Sequence, residues 1–283
     1  MVHNKLKLGQ WRNTKEVITW FESRNKKLKY KFIQFDVVKF YPSISVDIVE
    51  KVFEFYKTQV DISSADMEVI KVAAQNILYN NEQAWCKKSS GTFDVTMGGF
   101  AAAELCEAVG LWLLNILEQN GVQANLYRDD GLLMSHKPPR AVENIKKLIC
   151  KVFKEAGLNI TIEANLNTVD FLDITLNLEE DTYEPYTKPN NVIQYVNANS
   201  NHPKNVLDNI PIGIEKRVNE LSKNEFLFNK HKDTYQEVLS RAGYNYIIKY
   251  TEKRAEKKTN RQRKVIYFNP YFFKSMETNI VFF

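Results

Sequence analysis

The sequence predicts an α+β fold centred on a ferredoxin-like β-α-β-β-α-β unit and followed by a run of helices. Three observations predict it. Lys31–Val38 alternates, with Ile33, Phe35 and Val37 on one face and Gln34 and Asp36 on the other. Tyr127-Arg128-Asp129-Asp130 stands between apolar runs and is followed by Gly131, and Asp-Gly flanked by alternating hydrophobics is a strong hairpin signal. Two long periodic segments, Phe100–Gln119 and the stretch opened by Pro138-Pro139, supply the helices, with Gly121 and Gly157 as stops. An apolar content of 44% in 283 residues is enough to bury a core of this size.

In chain order, residues 1–30 are polar and basic, with a short helix expected around Glu16–Glu22. The first strand carries Asp36, and an unpaired acid is costly to bury, so Asp36 is expected to face a cleft. The strand breaks at Phe40-Tyr41-Pro42-Ser43. Helical patterns follow at about 46–58 and 64–79, the second with Met67, Ile70, Ala74 and Ile77 as its buried stripe. Trp85–Phe93 reads as a short hairpin turning at Lys87–Gly91, and Val95–Gly99 leads into the first long helix. The second carries an apolar stripe of Val142, Ile145, Leu148, Ile149, Val152 and Phe153, and Leu158–Glu163 is an alternating strand. In this topology the first strand lies beside the central hairpin, so Asp36 and Asp129 can converge on one face. Val169–Leu178 and Thr182–Thr187 form an expected hairpin turning at Glu179-Glu180-Asp181. Lys188–Pro203 is a polar linker, helices follow at about Ile214–Leu221 and Lys232–Ala242, and Phe268–Phe283 has little period.

The net charge of +5 leans toward anionic partners, and its distribution says more. Lys5, Lys7, Arg12, Arg24, Lys26, Lys27 and Lys29 crowd the N-terminus. Lys249, Lys253, Arg254, Lys257, Lys258, Arg261, Arg263 and Lys264 crowd the C-terminal end. Solvated helix faces are the plain alternative for both clusters. Cys86, Cys106 and Cys150 are scattered, which fits a reducing compartment and argues against a disulfide framework or a zinc site. No signal peptide opens the sequence. Its longest apolar stretch, Phe100–Leu117, holds Glu104 and Glu107 and is not a membrane span. The expectation is a soluble intracellular protein of cytoplasm or nucleus, with no membrane partner.

Asp36, Asp129 and Asp130 point to chemistry. Three carboxylates at the edge of an open sheet can hold two divalent metals roughly 3.5–4 Å apart. Magnesium suits hard oxygen ligands and a polyanionic substrate, and manganese is a possible substitute. One ion would lower the pKa of an attacking hydroxyl and the other would stabilise the leaving group of a phosphoryl transfer. Asp36 and Asp129 would bridge the metals and Asp130 would assist. The plain alternative is a solvated hairpin tip, because Asp is a favoured turn residue.

The motifs resemble those of reverse transcriptases over most of residues 30–180. Phe35-Asp36-Val37-Val38-Lys39-Phe40-Tyr41 is similar to the first catalytic motif, an Asp followed five residues later by an aromatic, and Tyr127-Arg128-Asp129-Asp130 matches the Tyr-x-Asp-Asp box. Met97-Gly98-Gly99 before a long helix resembles the Gly-containing motif that approaches template and nucleotide. Phe171-Leu172-Asp173-Ile174 resembles the hairpin that grips the primer end. Ser200-Asn201-His202-Pro203 and Ile210-Pro211 look like Penelope-like and related retroelement enzymes. The resemblance implies a right-hand polymerase with partial fingers at 1–30, a palm at 31–187 with a fingers insertion at about 60–95, and a thumb with a basic segment at 188–283. It implies RNA-directed DNA synthesis on a primed RNA or DNA template from deoxynucleoside triphosphates. Asp36, Val37, Asp129 and Asp130 would hold metal, and Tyr41, Gly98 and Gly99 would meet the nucleotide. Tyr41 would lie beneath its sugar, where a bulky ring excludes a 2′-hydroxyl.

The sequence departs from that pattern at Met97, where the family has Gln, and at Ala101-Ala102-Ala103, where it has Ser-Pro. Asn165 and Asn167 stand where a Lys is expected. The segment before Asp36 is short for a full fingers region, and no RNase H or endonuclease domain is recognisable. Two other readings therefore stand beside the first. One is a catalytically silent nucleic-acid-binding remnant of a retroelement polymerase. The other is a different two-metal enzyme, an RNA-templated RNA polymerase or a nuclease.

Overall fold

The structure, a computed structural model, describes residue 6 and residues 8–87 and 91–252. Its strands are β1 Gly9–Gln10, β2 Lys31–Val37, β3 Leu78–Asn80, β4 Gln83–Trp85, β5 Asn125–Tyr127, β6 Asp130–Ser135, β7 Ile160–Leu166, β8 Thr168–Phe171, β9 Ile174–Asn177 and β10 Thr182–Pro185. Its helices are α1 Thr14–Glu22, α2 Phe40–Ser43, α3 Val46–Lys57, α4 Ser64–Ala73, α5 Ala102–Gln119, α6 Pro139–Glu155, α7 Lys204–Leu221 and α8 Glu225–Arg241.

The main sheet has the order β1-β5-β6-β2-β7. β5, β6, β2 and β7 pair antiparallel in turn, which is the ferredoxin-like arrangement expected from the sequence, and β1 joins β5 in parallel at one edge. One face of this sheet buries Ile33, Phe35, Val37, Leu126 and Leu133 against α3, α5 and α6. Phe35 meets Phe153 of α6 edge-on, with ring centroids 5.3 Å apart. Burying a side chain of this size stabilises the fold by roughly 1.5–3 kcal/mol. The other face buries Phe32 and Leu132 against α1 and the small sheet β10-β9-β8, through Phe21, Val169, Phe171 and Tyr183. α7 and α8 close a third cluster around Val218, Phe228, Leu239 and Ile248.

Several elements differ from the sequence expectation. The helix predicted over 64–79 ends at Ala73. Asn76 turns the chain away, its side chain donating to the carbonyls of Ala74 and Asp94, so the helix loses its continuation to a local competitor. Leu78–Asn80 then pairs with Gln83–Trp85 across Asn81-Glu82, both at positive φ, the backbone of a type I′ hairpin. Ile77 is exposed rather than part of a buried stripe. The hairpin expected at Trp85–Phe93 reduces to the bridges Lys87–Gly91 and Gln75–Phe93, and the rest of its turn lies outside the described residues. Val169–Leu178 is itself a hairpin, β8–β9, folded back at Leu172-Asp173.

α7 begins ten residues ahead of the expected Ile214, at Lys204, and carries Pro211 inside. Pro211 is buried, and packing offsets the hydrogen bond it cannot donate. α8 likewise starts at Glu225, capped by the Asn224 side chain. Lys27 is not part of a solvated cluster. It is buried, with its ammonium 2.6 Å from Asp181 and over the Phe21 ring. Lys5, Lys7, the C-terminal basic run from Lys253 and Phe268–Phe283 lie outside the described residues. Among the described residues no helix is long and apolar enough to cross a membrane, and all three cysteines are free.

Asp173 ties three elements together. It accepts from the Thr14 hydroxyl at 2.5 Å and pairs with Arg217 of α7, while its carbonyl receives the Tyr186 amide at 2.9 Å. Asp173→Ala should cost about 1 kcal/mol, since Arg217 is largely exposed, and should speed amide hydrogen exchange in α7. Unchanged exchange there would show that the tie is not what seats α7.

Candidate active site

The two strand faces decide where the acids stand. Phe32, Gln34 and Asp36 share one face of β2, and Asp130, Leu132 and Met134 share the same face of β6. The small sheet covers Phe32 and Leu132 completely. It still reaches Gln34, whose side-chain amide donates to the Asp170 carbonyl at 2.8 Å. It does not cover Asp36, which is exposed at the open end of the face, as the cost of burying an acid led us to expect.

Register brings the acids together. Asp36 is the direct cross-strand partner of Asp130, and the Val37 amide donates to the Asp129 carbonyl at 3.3 Å. Side chains directly opposite in an antiparallel pair have Cβ atoms roughly 4.5–5.5 Å apart, so these two carboxylates repel. Tyr127 pairs with Asp130, which makes Arg128-Asp129 the two-residue turn. Arg128 takes a φ of 56°, a left-handed conformation that costs a non-glycine residue roughly 1–2 kcal/mol.

The Asp-Gly signal therefore located the hairpin but not its turn. Gly131 lies within β6, opposite Phe35, and a Cβ there would come within 2.1 Å of that ring. Its glycine serves close packing beneath the acids rather than chain reversal.

The carboxyl of Asp130 is pushed up to about 6, by burial first, then by Asp129 and Asp36. Asp36 is raised by loss of water and then by Asp129. Lys188 opposes both rises. Sequence reasoning missed Lys188, placing it at the start of a polar linker; its only signal was that it follows the β9–β10 hairpin that roofs this face. Lys188→Met should move the Asp130 midpoint above about 6, as read by carboxyl-carbon NMR titration. An unchanged midpoint would remove Lys188 from the site.

Tyr41 lies in α2, 9% exposed, packed beside Phe40 in the core. Its hydroxyl meets the Cys106 thiol of α5, and burial pushes that thiol up to about 12. Asp129 and Arg128 act electrostatically on both groups, so the Tyr41–Cys106 pair sits behind the acidic turn. Val37 has its side chain in the core, 3% exposed, and can offer a ligand only its backbone carbonyl. Gly98, with φ at +92°, and Gly99 form the loop before α5, between Met97 and Phe100, which are 82% and 97% exposed. Asn165 and Asn167 are scaffold residues at the β7–β8 junction: Asn165 donates to Glu143 at 3.0 Å, and Asn167 receives Lys31 and donates to Glu179 at 2.5 Å.

Among the described residues no three His, Cys, Asp or Glu side chains are close enough to enclose a metal by themselves. The donor set nonetheless fits magnesium, which is held by one or two carboxylates and completes its shell with water and substrate phosphates. Asp36 and Asp130, each pushed up by burial and then by neighbouring carboxylates, with one ammonium in reach, leave a deficit of positive charge that a divalent cation would fill.

No family model and no curated protein matches the sequence. Solved structures do. Telomerase from Candida albicans in complex with a TWJ fragment of telomeric RNA matches with a TM-score of 0.57 and 11% identity, over 83% of this chain and 45% of that one. The RNA-dependent RNA polymerase of a human picorbirnavirus matches at 0.55 and 12% identity, over 85% and 48%. Apo telomerase from Candida Tropicalis matches at 0.52 and 14% identity, over 83% and 46%. The chain has the fold of a right-hand polymerase. It spans under half the length of each of these chains. A telomerase and an RNA-dependent RNA polymerase share this right-hand fold, so the fold alone does not choose the product.

Proposed function

We propose that the chain is the palm and thumb of an RNA-directed DNA polymerase of retroelement type, adding deoxynucleotides to a primer 3′-hydroxyl. The observation that carries this reading is the meeting of Asp36 and Asp130 across adjacent strands, with Asp129 at the turn, on the open end of a right-hand polymerase sheet. Asp36 and Asp129 would hold magnesium with the Val37 carbonyl, and Asp130 would support them. When bound, magnesium supplies a lowered pKa at the primer hydroxyl and neutralises charge on the transferred phosphate. Lys188, on the same side, draws the nucleotide's phosphates toward the acids. Gly98 and Gly99 let backbone approach the template and nucleotide closely. Tyr41, held against Cys106, presents a fixed bulk that favours a sugar without a 2′-hydroxyl.

The sugar preference separates this reading from RNA synthesis. On a primed RNA template with magnesium, the chain should incorporate deoxynucleotides in preference to ribonucleotides, and Tyr41→Val should narrow that preference. A parent chain that prefers ribonucleotides would instead support an RNA-templated RNA polymerase. A second reading, a silent nucleic-acid-binding remnant, is favoured by Asn165 and Asn167, which are tied into the scaffold where the resembling enzymes carry a Lys. It expects salt-dependent binding with no synthesis under any metal.

A further inference from the structure

The far end of the main sheet holds a second site. β2 runs from Lys31 to Asp36 and β6 from Asp130 to Ser135, with Lys31 opposite Ser135. The Ser135 end is thus about 17 Å from the acids, at roughly 3.3 Å per strand residue. A cavity of about 530 Å³ opens there, between the end of α1, the C-terminal end of α5 and the loop that follows β6. That volume lies within the range of small-ligand sites.

Its lining combines two aromatic rings with an excess of positive charge. Trp20 and Tyr30 supply the rings, and Arg24 and Lys137 the cations, with His136 beside them and Glu118 as the one acid. Neighbouring rings hold the aromatics in place. Trp20 stands edge-on to Trp11 at 5.1 Å, and Tyr30 edge-on to His136 at 5.7 Å. The Lys137 amide is pinned by the Ser135 hydroxyl at 3.3 Å. Arg24 and Lys137 are exposed, and neither takes part in an ion pair among the described residues. Flat apolar surface beside uncommitted cations matches one ligand chemistry, a base joined to a phosphate: rings stack on bases of any sequence, and guanidinium and ammonium bind phosphate oxygens.

We propose that this cavity binds a nucleotide unit, with its phosphate on Arg24 and Lys137 and its base against Trp20 and Tyr30, separately from the acidic site. The unit can be a free nucleoside monophosphate or one residue of a single strand. Calorimetry in EDTA with AMP and with a short single-stranded oligoadenylate distinguishes the two. Binding of AMP alone assigns the free nucleotide, and tighter binding of the strand assigns the strand. In either case Arg24→Gln/Lys137→Gln should weaken binding roughly tenfold or more. Glu118→Gln removes the opposing charge and should tighten it by about two- to threefold, a gain that misfolding cannot produce. Asp36→Asn should leave it unchanged. No heat from either ligand up to about 1 mM, or binding indifferent to both the Arg24/Lys137 and the Glu118 changes, would overturn the proposal. A chain that binds AMP here but extends no primer keeps this inference and loses the polymerase reading; one that extends primers but binds no AMP here does the reverse.

Discussion

Asp130→Asn should make the metal-free protein more stable at pH 8 and, on the proposed function, less active. The Asp130 carboxyl ionises near 6 in the folded chain against 3.8 for a free side chain, so the folded state holds its proton more tightly than the unfolded state does. Stability therefore falls as pH rises from about 4 to about 6, and the full cost persists above that window. Two pKa units set the upper limit, and water screening of a partly exposed group reduces the cost to about 1–2 kcal/mol. Asn removes the ionisation and with it the repulsion from Asp36 and Asp129. In EDTA at pH 8 the variant should melt about 3–6 °C above the parent, a gap that closes below about pH 4. Magnesium should raise the parent's melting temperature more than the variant's, because the variant keeps Asp36 and Asp129 but lacks the third acid that would support a bound ion. Primer extension should fall by roughly tenfold to a hundredfold. A variant that melts lower at pH 8, or equal magnesium shifts in both proteins, would contradict this account of the three acids. The expected pattern is stability withheld by a functional site.

Gly131→Ala should be the most damaging single-methyl change near the site. The new Cβ would stand 2.1–2.5 Å from three atoms of the Phe35 ring. That ring cannot swing aside, because it is fully buried and packed edge-on against Phe153. Overpacking of this kind costs about 1–3 kcal/mol, and the rigidity of the neighbours puts this position at the upper end. The melting temperature should drop by about 6–10 °C. Phe35→Leu vacates the ring volume, so the double variant should be more stable than the sum of the single losses predicts, with a coupling of about 1 kcal/mol or more. Strict additivity would mean that the glycine answers some other constraint. Since Gly131 and Phe35 adjoin Asp130 and Asp36, the same clash should also reduce activity in the fraction that remains folded.

Much of this was legible in the sequence where one pattern had one physical meaning. The alternation of Lys31–Val37 fixed both a strand and the open side of Asp36, because burying that acid without a partner would cost more than the strand could repay. The stops at Gly121 and Gly157 held because both take positive φ, which few other residues tolerate. Legibility failed where local signals competed with distant ones. Ile77 continues a helical stripe on paper, yet Asn76 bonds to Asp94 and turns the chain into a hairpin. Pro211 reads as a break, yet burial in α7 outweighs its missing donor. Asp-Gly signalled the hairpin and set the acids at or beside its turn, but nothing local shows that Phe35 needs the space at Gly131. Lys188 had no sequence signal beyond following the β9–β10 hairpin. Its place beside Asp36 and Asp130 depends on how the chain leaves β10, which no neighbouring residue encodes.

The most direct measurement is primer extension on a primed RNA template with deoxynucleotides and magnesium, comparing the parent with Asp36→Asn at matched folded concentration. Asp36 is exposed, so the substitution should leave folding and nucleic-acid binding intact. Template-length products are expected from the parent, with a loss of about 10³-fold in the variant. Equal extension by both, or none by either while both still bind the template, would contradict the proposed function.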